Sequence, residues 1–223
     1  MYKQLLERNL NVYFGDQYMG IPLQLGEEYH IEEYLVGTYN TIFEALNEYP
    51  NTCVVRVDLR LPMHYRSSND YVIRRFFEFL QELLNTDLQE RKEAGQQVAS
   101  CNIRYVAARD RNKFNTEQYH VLLMFNLDVY NCIGAYRENV GGNMAERIRM
   151  AWAEALSNEV EYIARANLVN VPKNPVLYIN YVKGNSFTFE YELKEIFKRF
   201  SYFTTIKDKS FNQGYTPFLC SAK

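Results

Sequence analysis

The chain has 223 residues, 47% hydrophobic and 23% charged, with 19 Tyr, 14 Phe and a formal net charge of −2. That balance excludes extended disorder, which combines low hydrophobicity with high net charge, and it allows one large domain with a real core. Near-neutrality excludes a sequence-independent coat for nucleic acid, so any contact with DNA has to be local.

Residues 1–50 read as a helical lead-in to a domain over 51–223. The opening MYKQLLERNLNVYFGDQY carries charges where a signal peptide needs an apolar run. Ile31, Tyr34, Leu35, Ile42, Leu46 and Tyr49 then recur at helical spacing until Pro50. In CVVRVDLRL, residues 53–61, Val55, Val57, Leu59 and Leu61 alternate with Arg56, Asp58 and Arg60, the period of a strand with one core face and one charged face. SSNDYVIRRFFEFLQELLNT follows as an amphipathic helix on Val72, Phe76, Phe77, Leu80, Leu83 and Leu84, with the polar tail QERKEAGQQ.

Strands are expected at 100–109 and 118–126, joined by the polar turn RDRNKFNTE as an antiparallel hairpin. Tyr105 and Tyr119 on them read as core packing more than as base-stacking platforms. Past Gly141-Gly142, a helix carries Met144, Ile148, Ala151, Trp152 and Ala155 on one side, and Pro172 and Pro175 introduce the strand VLYINYV. A last helix is expected over 191–207, ahead of an irregular tail. The order β-α-β-β-α-β predicts an α+β domain with a ferredoxin-like, split βαβ antiparallel sheet and helices on one face.

Cys53, Cys101, Cys132 and Cys220 are widely spaced and form no C-x-x-C pair, which reads as reduced, buried thiols. Runs such as YHVLLMF fall short of the roughly 20 apolar residues a membrane helix needs. A cytoplasmic protein without a membrane partner is the expectation.

Four segments in order, CVVRVDLRLP at 53–62, TEQYHVLLMFN at 116–126, MAERIRMAWAEAL at 144–156 and FKRFSYFTTIKDKSF at 197–211, resemble the inovirus gene II replication-protein family and the related YagK/YfjJ prophage proteins over residues 30–223. The resemblance implies a rolling-circle replication initiator of the HUH endonuclease type, in its Rep branch. Such a protein nicks single-stranded or hairpin DNA at a replication origin with a helix-borne tyrosine and a divalent metal, Mg²⁺ or Mn²⁺, leaves a 5′-phosphotyrosyl link, and works with host replication proteins.

The metal motif needs two imidazoles two residues apart, because alternate strand residues project from one face. Here His120 matches the second and Gln118 stands at the first, where its amide oxygen suits a hard ion. Asp58, on the neighbouring strand, is the expected third ligand; the alternative is pairing with Arg56 or Arg60. His64 lies just past that strand, and His30 is the only other histidine.

Tyr202 matches the nucleophile of the Ser-Tyr segment. Helical counting places it opposite Leu193, away from the apolar stripe of Leu193, Ile196, Phe197 and Phe200, on the side of Lys198, Thr205 and Lys209. Lys198 and Lys209 would stabilise the phenolate and the phosphate. Thr205 replaces the lysine the family pattern has three residues past the tyrosine. Lys194, Lys198, Arg199, Lys207 and Lys209 form the expected DNA-binding patch. The two altered positions keep a second reading open, a catalytically inactive DNA-binding regulator or phage-interference protein on the same fold. The sequence contains no P-loop, dinucleotide glycine fingerprint, G-x-S-x-G or zinc pattern.

Overall fold

The computed structural model describes residues 5, 7–24, 29–63, 65, 69–111, 116–131, 143–181, 186–206, 209 and 216–222. Cys132, Gly141, Gly142, His64 and Lys207 lie outside these. Two short pairs open the chain: β1 (Val12–Tyr13) with β4 (His30–Ile31), and β2 (Gln17–Tyr18) with β3 (Ile21–Pro22). Helix α1 (Glu32–Glu48) buries Leu35, Ile42, Ala45 and Leu46 and stops ahead of Pro50, whose ring lacks the N–H a further turn requires.

The main sheet is built from β5 (Asn51–Arg60), β6 (Arg104–Arg111), β7 (Glu117–Asn126), β8 (Val169–Asn170), β9 (Val176–Asn180) and β10 (Phe218–Cys220). Every pairing is antiparallel, in the order β10–β6–β7–β5. β8 and β9 share the far edge of β5, β9 opposite Asn51–Val55 and β8 opposite Asp58 and Leu59. β5, β6, β7 and β9 therefore stand in the spatial order β9–β5–β7–β6, the fourth, first, third and second of the four in the chain. β5 and β6 run the same way, separated by β7, and α2 (Tyr71–Glu93) connects them. Helices α3 (Met144–Leu156) and α4 (Val160–Arg165) lie between β7 and β8.

Helices cover both faces of this sheet, where the sequence predicted one. On the first face Val55, Val57 and Leu59 of β5 and Tyr119, Val121 and Leu123 of β7 meet Phe76 and Leu80 of α2 and Ile148 and Trp152 of α3. Trp152 is fully buried, and its indole N–H donates to the Arg60 carbonyl at 3.1 Å. On the second face Val54, Val106, Ala108, Leu122 and Met124 meet α1 and Ile196, Phe197 and Phe200 of α5 (Ser186–Phe200). The cause is in the strands: their central residues are apolar on both sides, and such a sheet has to be covered on both. Tyr119 is core, and Tyr105 stacks on Phe77 with ring centroids 3.5 Å apart.

Two further departures concern the C-terminal segment. α5 begins at Ser186 and ends at Phe200, and Ser201–Thr204 continue as a 3₁₀ turn. Hydroxyls cause the change: Ser201 Oγ donates to the Lys198 carbonyl at 2.8 Å and Thr204 Oγ1 to the Ser201 carbonyl at 2.7 Å, giving the backbone an alternative to the α-helical ladder. The expected irregular tail supplies β10, whose Phe218 stacks on Tyr34 of α1 at 4.4 Å. Among the described residues no helix is long and apolar enough to cross a membrane.

Candidate functional site

At one end of the second face the apolar pattern gives way to polar side chains. Strand alternation places Arg56 and Asp58 of β5, Asp110 of β6, and Gln118 and His120 of β7 on this side. Asp58 pairs directly across from His120, and Asp110 across from Gln118. His120 stands between two carboxylates, with Nδ1 2.6 Å from Asp58 Oδ1 and Nε2 2.9 Å from Asp110 Oδ2. Burial works against the charge on this imidazole, yet the two carboxylates outweigh it and raise the pKa above the ordinary histidine value. Carboxylates at both ring nitrogens favour the protonated ring.

Asp58 is buried and fully engaged. Its Oδ1 accepts from His120 and from Arg56, the latter at 3.1 Å, and its Oδ2 accepts from Asn170 of β8 at 3.1 Å. Burial pushes its pKa upward, but these partners hold it below the ordinary aspartate value. Asp58 therefore orients His120 from the Nδ1 side, and the carboxylate on the Nε2 side is Asp110. The sequence reading missed Asp110, since in RDRNKFNTE it looks like part of a polar turn.

Among the described residues no group of three His, Cys, Asp or Glu is arranged to hold a metal ion. The mixed set of His120, Asp110 and Gln118 does converge: Gln118 Nε2 lies 3.2 Å from His120 Nε2 and donates to Asp110 Oδ1 at 3.1 Å. With the amide turned and the imidazole neutral, this is an N,O,O donor set of the kind Mg²⁺ or Mn²⁺ accepts, and Asp58 would act on it as the carboxylate behind the ligating histidine.

Tyr202 arrives at this cluster from the 3₁₀ turn. Its ring meets His120 edge-on at 5.6 Å, and the Arg56 guanidinium lies over it at 5.1 Å. Phe203 lies against the imidazole at 5.8 Å. Helical counting turned Tyr202 outward; a 3₁₀ turn advances the chain by about 120° per residue in place of 100°, and this rotates the ring back onto the sheet. Its hydroxyl is buried and finds no hydrogen-bond partner among the described residues. Burial pushes the phenol pKa up, Asp58 and Asp110 add to that, and Arg56 opposes it.

The turn is tied to the N-terminal segment. Ser201 Oγ accepts from the Gln24 N–H at 2.7 Å, His30 Nδ1 lies 2.7 Å from Thr204 Oγ1, and the Ile206 N–H donates to the Tyr29 carbonyl at 3.0 Å.

Lys198 and Lys194 are exposed on α5, Lys194 within 3.6 Å of Glu190, and Lys209 is buried. The Arg199 guanidinium donates to the carbonyls of Lys173 at 3.3 Å and Asn174 at 2.6 Å, which makes it a strut between α5 and the loop before β9. The cation over the tyrosine is Arg56, which the sequence offered only as part of a charged strand face.

The family model of the YagK/YfjJ C-terminal domain matches residues 15–221. The chain belongs to this family. It is similar to two uncharacterized proteins of Escherichia coli (strain K12). With YagK it is 27% identical over 201 residues, which cover 86% of this chain and 93% of the relative. With YfjJ it is 27% identical over 203 residues, covering 86% and 95%. No solved structure matches the chain. The YagK/YfjJ domain thus takes in the last strand and the residues on both sides of position 50, and α1 shares one core with α5 and the sheet.

Proposed function

We propose that this YagK/YfjJ domain is a DNA-nicking protein of the rolling-circle initiator type, acting in the cytoplasm on single-stranded or hairpin DNA at a replication origin. The observation that carries the reading is the meeting of Tyr202 with His120, in ring contact at 5.6 Å beside Asp58, Asp110 and Arg56. Four separate chain segments supply that constellation, and surface tyrosines do not ordinarily acquire one. The strand order β9–β5–β7–β6, with α2 joining two parallel strands across a third, supports the ferredoxin-like sheet of the HUH class.

In the proposed reaction the Tyr202 phenol passes its proton to water as its oxygen forms a bond to the scissile phosphorus. The bond from phosphorus to the 3′ oxygen breaks, and that oxygen takes up a proton from water. The products are a free 3′-hydroxyl and a 5′-phosphotyrosyl protein. Arg56, over the tyrosine ring, is placed to offset the developing negative charge. His120, Asp110 and Gln118 would hold a divalent ion, which when bound polarises the phosphate. Asp58 keeps the His120 ring in orientation.

A second reading draws on the Tyr202 hydroxyl, buried and without a partner among the described residues. Among the described residues that phenol makes no hydrogen bond to a base, which favours a DNA-binding regulator or phage-interference protein on the same fold. The test is incubation with labelled single-stranded and stem-loop DNA and Mn²⁺, followed by a denaturing gel. A covalent band lost in Tyr202→Phe supports nicking. DNA binding without any band leaves the regulator.

A further inference from the structure

On the opposite side of the sheet from Tyr202, α2, α3 and the residues leading into α4 enclose an open groove of about 520 Å³. Phe79, Leu83, Met150 and Ala151 supply its apolar lining, and Met150 is 41% exposed. Three carboxylates, Glu82, Glu154 and Glu159, stand along it; the lining residues include no lysine or arginine, and one cation, Arg75, lies beside it over the Phe79 ring at 5.0 Å. All three are exposed. None has an ion-pair partner among the described residues, whereas buried or half-buried acids elsewhere, such as Asp58, Asp87 and Glu117, are paired with arginines.

The combination selects an occupant. An apolar trough between two helices accepts the apolar stripe of a third helix, as in helix-in-groove recognition. Uncompensated carboxylates along it favour cationic flanks and repel phosphates, so a nucleic acid or an anionic membrane surface is disfavoured. We propose that the α2/α3 groove is a docking site for a basic amphipathic helix of a partner protein, one apolar stripe flanked by lysines or arginines. The groove is separated from the tyrosine site by the full thickness of the sheet, so a partner held there leaves Tyr202 uncovered.

The probe is a fluorescently labelled, helix-forming peptide of leucine and lysine in i, i+3, i+4 pattern, titrated with the full chain, with a leucine–glutamate isomer as control. The lysine peptide is expected to bind and the glutamate peptide not. The triple variant Glu82→Lys/Glu154→Lys/Glu159→Lys should weaken lysine-peptide binding by more than about tenfold and gain the glutamate peptide. The equally charged variant Glu90→Lys/Glu161→Lys/Glu195→Lys should change it less than about twofold. Met150→Asp, at a half-exposed site that tolerates a polar side chain, should also abolish binding. The proposal is overturned if both triple variants weaken binding equally, since the attraction is then bulk charge. It is equally overturned if Met150→Asp binds as the wild type does, or if sedimentation shows a dimer that Met150→Asp dissociates, which makes a second copy the occupant.

Discussion

Asp58 and His120 face each other across β5 and β7, joined by a 2.6 Å contact between Oδ1 and Nδ1, and each holds the other in its charged form. This couples stability to pH at both ends. The His120 pKa is raised above 6.5, so its contribution is complete below about that pH and disappears as pH rises through the folded value. The Asp58 pKa is lowered from 3.8, so its contribution is complete above about that pH and disappears as pH falls through the folded value. Urea unfolding midpoints should be highest between these limits, and His120→Gln should flatten the alkaline decline. An unchanged alkaline slope in that variant would contradict the assignment.

Replacement of Asp58 by Asn should cost about 2 kcal/mol, since it leaves the partly buried Arg56 and His120 charges without the carboxylate they share. Chemical denaturation monitored by Trp152 fluorescence measures this directly. Trp152, fully buried under the sheet, is the single tryptophan.

Tyr202→Phe should leave stability unchanged or raise it by about 1 kcal/mol, because the hydroxyl it removes is desolvated and makes no hydrogen bond among the described residues. If the same variant loses DNA adducts while melting no lower than wild type, the hydroxyl serves chemistry and not folding. A drop in the melting temperature would show that the hydroxyl has a structural partner.

The proposed binding of Mn²⁺ at His120, Asp110 and Gln118 would require a protonated His120 ring to give up its proton. The apparent affinity should therefore rise about tenfold per pH unit below the raised His120 pKa and level off above it. Calorimetry in buffers of different ionisation enthalpy detects the released proton. Asp110→Asn should weaken binding more than Asp58→Asn does, since Asp58 lies on the other nitrogen.

Much of this arrangement was readable in advance, and the remainder has definite physical causes. The alternation of Val55, Val57 and Leu59 with Arg56 and Asp58 fixes which side chains share a face, and the β6–β7 hairpin brings His120 to the same side. Asp110 was hidden because a charged residue beside Arg109 and Arg111 in a polar run resembles a turn, while the strand continues to Arg111. Arg56 was hidden because a strand charge is ordinarily solvated, and its cover comes from residues almost 150 positions later in the chain. The inward rotation of Tyr202 depends on two hydroxyl-to-carbonyl bonds that shorten a helix, and periodicity alone carries no trace of them.

The contact between His30 and Thr204 spans 174 residues. A ribosome releasing this chain must therefore expose nearly all of it before the turn that carries Tyr202 can be held against the sheet. Until then the β5 and β7 charges lack the Tyr202 ring that packs beside them. Assembly of this site is thereby tied to completion of synthesis: a product truncated before residue 202 would contain Asp58, Asp110 and His120 without the tyrosine ring that meets them.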